Sequence, residues 1–93
     1  MMEDWKMIPK SKGQYEISTL GRVRNSYTGR ILKQFKFRNG SYGVQLGGYL
    51  CRSYTIGQLM AMTYYPGRHG RACHRNGDVK DNRVENIEVR SIE

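Results

Sequence analysis

Four side chains in this 93-residue chain are the cysteines and histidines that zinc favours: Cys51, His69, Cys73 and His74. Their spacing argues against a zinc site. There is no C-x-x-C pair, and Cys73 and His74 are neighbours, so an extended strand would point them to opposite faces. His69, in the loop Gly67-Arg68-His69-Gly70-Arg71, reads as a phosphate-contacting or solvent-facing side chain. A Cys51–Cys73 bridge is possible in principle, but two free thiols are the expectation for a reducing compartment.

The second chemistry is electrostatic. The formal charge is +8, and residues 5–75 hold thirteen Lys and Arg against one acid, Glu16. The two ends carry most of the carboxylates, so the basic charge belongs to the body of the domain. That distribution is the footprint of a polyanion binder; a surface chosen only for solubility would mix its signs. Ten of the sixteen basic residues are Arg, whose planar fork suits phosphate and guanine. Double-stranded DNA is the expected partner. The side chains expected to face it are Arg22, Arg24, Arg30, Lys33, Lys36 and Arg38, with Arg52, Arg68 and Arg71 beyond them.

These residues need a scaffold. The length fits one domain, 1–93, able to bury a modest core without cofactor or disulfide. Hydrophobic content is 38% and mean hydropathy −0.74, a globular composition. No run approaches a membrane span and no apolar signal core follows Met1, so a cytoplasmic location without membrane attachment is expected.

The first half reads as short strands between glycine turns. Gln14 to Ser18 alternates polar and apolar, and Gly21 allows a turn into Arg22-Val23-Arg24-Asn25. Ile31 to Phe37 reads as a strand, Asn39-Gly40 as a hairpin turn, Ser41 to Leu46 as the return, and Tyr49 to Tyr54 as one strand more. The period then changes. Ile56, Leu59, Met60, Thr63 and Tyr64 share one face of a helix near 55–65, with a capping box at Thr55 and Gln58 and a stop at Pro66-Gly67. Arg71 to His74 is extended, Arg75 to Asn82 is a polar loop, and Val84 to Arg90 leads into a last strand with Ile87 and Val89 on one face. The expected fold is α+β: an antiparallel sheet over 14–54, one packed helix, and a hairpin at 71–90.

Three segments in order carry a resemblance. Asp4-Trp5-Lys6-Met7-Ile8-Pro9, with Tyr15-Glu16-Ile17-Ser18 and Gly21-Arg22-Val23-Arg24-Asn25, resembles the DNA-binding module at the front of phage and intron-encoded HNH homing endonucleases. That module runs W-K-x-I, then Y-x-V-S-N-x-G-x-V-x-S. Leu59 to Pro66 resembles the family's L-V-A-x-A-F-I-P segment. Cys73-His74-Arg75-Asn76-Gly77-Asp78-Val79-Lys80-Asp81-Asn82-Arg83-Val84-Glu85-Asn86-Ile87 resembles its N/D-H-x-D-G-N-x-x-N-N-x-x-x-N-L loop. The resemblance implies a β-rich DNA-binding module over 1–54, followed over 55–93 by a helix and an HNH-like ββα-metal hairpin. It implies that His74 is the general base for water attack on a phosphodiester, with Asn86 and Asn82 fixing the loop. It also implies one divalent cation, Mg²⁺ or Mn²⁺, with His74 and Cys73 at the metal-proximal positions.

The departures from that pattern set the expected activity. Cys73 stands where Asp or Asn is usual and is a poor ligand for Mg²⁺; Asn76 replaces the loop Asp. The His that often precedes the L-V-A segment is replaced by Gly57-Gln58, and Glu93 falls where the family's last ligand helix would begin. The cation is therefore expected to be weakly held or absent. The leading expectation is a DNA-binding relative of HNH nucleases that is catalytically weak or inactive. The alternatives are an active metal-dependent nickase and a small phage protein that occupies a host protein's acidic surface.

Overall fold

The structure is a computed structural model and describes residues 3–68 and 70–90. His69, and the positions near Glu93 that figured in the expectations, lie outside the described residues. The α+β expectation holds, with the strands divided between two small sheets and a separate hairpin. The first sheet joins β1 (Trp5–Met7), β2 (Tyr15–Ser18) and β3 (Val23–Asn25) in that order, antiparallel throughout. Ile17 faces Val23 across the ladder and both are fully buried, while Glu16 faces Arg24 on the outer side. The turn between β2 and β3 is closed by Ser18, whose buried hydroxyl accepts from the Leu20 and Arg22 amides at 3.1 Å each.

The run Ile31 to Phe37 was expected as one strand, but only β4 (Phe35–Lys36) is. Ile31 bridges to Arg24 and the Leu32 amide donates to the Val23 carbonyl at 2.8 Å, so the run begins beside β3. It ends against β5 (Tyr42–Leu46), which β6 (Arg52–Thr55) completes as a second antiparallel sheet. A strand that changes partners midway cannot stay in one ladder, and so a single 14–54 sheet becomes two. The Asn39-Gly40 turn joins β4 to β5 as expected: Gly40 has φ +93°, and the Asn39 side chain accepts from the Ser41 amide at 3.0 Å.

Helix α1 (Ile56–Tyr64) sits among all three β units. Thr55 accepts from the Gln58 amide at 3.1 Å and the Gln58 side chain accepts from the Thr55 amide at 3.0 Å, the capping box expected from the sequence. Ile56, Leu59 and Met60 have no exposed surface and pack with Ile8, Ile17, Val23, Val44, Leu46 and Ile87 into one core. Removing a buried isobutyl group from that centre costs its transfer free energy and a cavity. Leu59→Ala is therefore expected to lower unfolding free energy by about 2–4 kcal/mol in urea denaturation. A loss of a few tenths would mean the helix face was misassigned.

The last unit is a hairpin of β7 (Arg71–His74) and β8 (Ile87–Arg90). The segment from Val84 leads into β8 as expected, by way of a single 3₁₀ turn, Val84–Asn86. That turn carries Asn86 into the loop it organises.

Candidate functional site

His74 is the last residue of β7, half-buried, with its ring against the N-terminal turn of α1. Its Nε2 lies 2.7 Å from the Asn82 Oδ1. An amide oxygen only accepts, so this pairing matches the Nε2–H tautomer of a neutral ring, in which Nδ1 has the lone pair a general base uses. Asn82 is 7% exposed and is itself held from the front of the chain. Gly21, at φ +88°, packs so closely that a Cβ there would stand 2.7 Å from Asn82 Cβ. The Val84 amide donates to the Thr19 carbonyl at 2.8 Å across the same seam. The β2–β3 turn thus positions the residue that positions His74.

Asn86 does separate work. Its Oδ1 accepts from the Asn76 amide at 3.1 Å, and its Nδ2 donates to the Asn76 Oδ1 at 3.0 Å and the Asp81 carbonyl at 2.7 Å. The side chain is 5% exposed and closes the loop 76–81 onto the 3₁₀ turn. Asn86→Ala would remove three hydrogen bonds, leaving the Asp81 carbonyl and the Asn76 amide without this partner while the Asn76 Oδ1 keeps the Asp78 amide. A loss of about 1.5–4.5 kcal/mol is expected, from roughly 0.5–1.5 kcal/mol for each bond lost. Thermal unfolding with heteronuclear NMR of the loop checks this; an unchanged loop spectrum would count against it.

Asp81 fixes the same loop from outside. Arg83 donates to its two carboxylate oxygens, Nε and Nη2 each at 2.8 Å, and Asn76 Nδ2 donates at 3.0 Å. The bound guanidinium, aided by Asn76, holds the Asp81 carboxyl down at about 2. A lowered folded value means the pairing stabilises above the usual carboxylate range and is lost as pH falls through about 2. Arg83 and Asn76 resonances are therefore expected to stay native from neutral pH to about 3 and to shift below it. A transition centred near 4 would show the pair does not form.

The residues present do not fit a divalent cation. Cys73 alternates with His74 along β7, stands opposite Glu88 in the ladder, and so faces the other side of the hairpin. Glu88 is engaged by Arg75 at 3.5 Å and Arg90 at 2.7 Å. Among the described residues no group of three His, Cys, Asp or Glu side chains is placed to hold a metal. Both cysteines are free thiols, Cys51 exposed and Cys73 half-buried.

The basic residues divide into two sets. Arg22 is paired with Glu3, its Nε 2.9 Å from Oε2, and Arg24 with Glu16 at 2.9 Å. Both guanidinium groups lie over the Trp5 ring, Arg24 at 3.9 Å and Arg22 at 5.6 Å from its centroid. The Arg22 pairing holds Glu3 at about 2. By contrast Arg30, Lys33, Lys36 and Arg38 are exposed and have no acidic partner among the described residues. Exposed Tyr27, Ile31 and Phe35 lie among them. The strip ends at the Asn39 turn, and Asn39, Ser41 and Tyr42 line the same cleft, about 700 Å³, as Arg71, His74 and Asn82. Arg52 and Arg68 lie off this strip, in a neighbouring cavity. The cross-strand pairing of Glu16 with Arg24 was open to a sequence argument once the β2–β3 turn was counted. The Asn82–His74 contact was not, because it depends on the approach of Gly21.

A β-rich basic unit in front of a His-loop hairpin, joined by one capped helix, defines the class. Residues 3–47 match the NUMOD4 motif. HNH endonuclease L245 of Acanthamoeba polyphaga mimivirus is 31% identical over 91 residues, covering 95% of this chain and 27% of L245. HNH endonuclease L247 of the same virus is 36% identical over 93 residues, covering 92% of this chain and 23% of L247. The chain thus spans about a quarter of the length of these relatives. The HNH homing endonuclease I-HmuI, whose structure concerns DNA binding and cleavage, shares the fold: TM-score 0.75 and 24% identity over 90% of this chain and 50% of that one. The chain carries a NUMOD4 motif over residues 3–47 and is similar, over most of its own length, to part of two HNH endonucleases.

Proposed function

We propose that this chain binds duplex DNA along the strip Arg30, Lys33, Lys36 and Arg38, with little or no cleavage by these residues alone. The observation that carries the reading is a segment with four exposed cations that have no carboxylate partner among the described residues. That segment runs along the chain into the Asn39 turn, and Asn39 lines the cleft of His74. Paired arginines lose much of their attraction for phosphate, whereas unpaired ones displace counterions from the duplex. Arg71, on the cleft wall, would meet the backbone next to His74.

His74 would then accept a proton from water near a phosphodiester, its ring held by Asn82 and the loop by Asn86. A base alone leaves the departing oxygen without a charge partner, which is the work a divalent ion does in metal-assisted hydrolysis. Cys73, turned to the opposite face, supplies no hard ligand for one. The reading is tested by fluorescence anisotropy with labelled duplex DNA between 50 and 200 mM salt. Log affinity is expected to fall against log salt with a slope of about −4 or steeper, roughly 0.9 for each phosphate neutralised. Binding that ignores salt, or no binding at 50 mM, would sink it.

A further inference from the structure

A second cavity, about 530 Å³, adjoins the His74 cleft; Gln58, Gly70 and Ala72 line both. Its floor is apolar and aromatic, made by Met62, Tyr54 and Tyr65. Both tyrosines are pinned at the tip, Tyr54 donating to the Leu50 carbonyl at 3.3 Å and Tyr65 to the Val84 carbonyl at 2.8 Å. Three exposed cations stand at the rim: Lys10, Arg52 and Arg68. None has an acidic partner among the described residues. Arg52 lies over the Tyr54 ring at 4.7 Å and Arg68 over Tyr65 at 5.9 Å from the centroids, so the charges are kept at the mouth. Lys10 reaches its place from a left-handed backbone, φ +66°, a conformation lysine seldom adopts.

An apolar and aromatic lining beside exposed cations suits a ligand with an aromatic body and an attached negative charge. A nucleotide has both, whereas a fully paired duplex offers its phosphates but no free base face, since its bases are stacked inside. We propose that this cavity takes one unpaired nucleotide of a DNA strand, its base against Met62, Tyr54 and Tyr65 and its phosphate between Lys10, Arg52 and Arg68. The inference rests on the DNA-binding reading above and adds the form of the substrate: a duplex with an unpaired position beside the His74 cleft. An acidic peptide would satisfy the rim, but continuity with the His74 cleft favours the strand already expected there. Stacking of one base on such a surface corresponds to a preference of about tenfold or more.

The test uses the full chain and two labelled duplexes, one fully paired and one with a single unpaired 2-aminopurine. Wild type is expected to bind the second about tenfold tighter, with a change in 2-aminopurine fluorescence. Met62→Trp fills the cavity without altering charge and should abolish the preference and the fluorescence change, with paired-duplex affinity retained. Arg52→Gln with Arg68→Gln should reduce the preference to about threefold or less. Circular dichroism confirms that each variant folds. Equal affinity for the two duplexes, with a normal salt slope on paired DNA, would overturn the cavity proposal and leave the DNA reading standing. A preference that survives Met62→Trp would also overturn it. Failure to bind either duplex would remove both, and selective competition by an acidic peptide at Met62 would assign the cavity to a protein partner instead.

Discussion

Converting Arg30, Lys33, Lys36 and Arg38 together to alanine is expected to flatten the salt slope of duplex binding by about three to four units. Each cation that meets a phosphate releases roughly 0.9 of a condensed counterion, so four contacts weaken binding about 100-fold over a fourfold rise in salt. The variant should lose that sensitivity and most of its affinity at low salt, while its unfolding midpoint stays near wild type because all four side chains are exposed. A matched pair of double variants separates the strip from total charge. Lys33→Ala with Lys36→Ala should lower the slope by nearly two units. Arg22→Ala with Arg24→Ala removes as many charges but should lower it by less than about one, because Glu3 and Glu16 already engage those guanidinium groups. The second pair should instead loosen the first sheet, where Trp5 loses both cations over its ring. Equal slopes for the two pairs would place the phosphate contacts on the Trp5 side.

Local patterns carried much of this arrangement. Thr55 and Gln58 marked the start of α1 because a capping box is complete within four residues, and both of its hydrogen bonds form. Asn39-Gly40 marked its hairpin for the same reason. The α+β class followed from the switch of period at residue 55. What escaped was set by partners distant along the chain. Ile31 to Phe37 has the residue types of one strand, yet its two ends pair with different sheets.

The candidate site divides along the same line. Residue types placed His74, Asn82 and Asn86 in one loop through the HNH resemblance. Only the fold separates their work: Asn82 orients the imidazole and Asn86 ties the loop. Composition showed a basic body but not which cations were already spoken for. Arg22 and Arg24 sit opposite carboxylates, and Arg83 closes on Asp81 two residues away. Arg30, Lys33, Lys36 and Arg38 are among the cations that remain once those pairs are set aside.

Binding without efficient cutting is tested most directly on supercoiled plasmid, at protein concentrations that saturate the DNA. Wild type and His74→Ala are compared with Mg²⁺ and with Mn²⁺, after anisotropy shows equal binding. Cys73 faces away from His74, and among the described residues no group of three His, Cys, Asp or Glu side chains could hold a metal, so the expected result is near-zero nicking in both proteins with Mg²⁺. Mn²⁺, which accepts nitrogen ligands more readily, should give a faint rate at most. Strong nicking by wild type that requires the metal and vanishes in His74→Ala would contradict this reading and would require a ligand from outside the described residues or from a second chain.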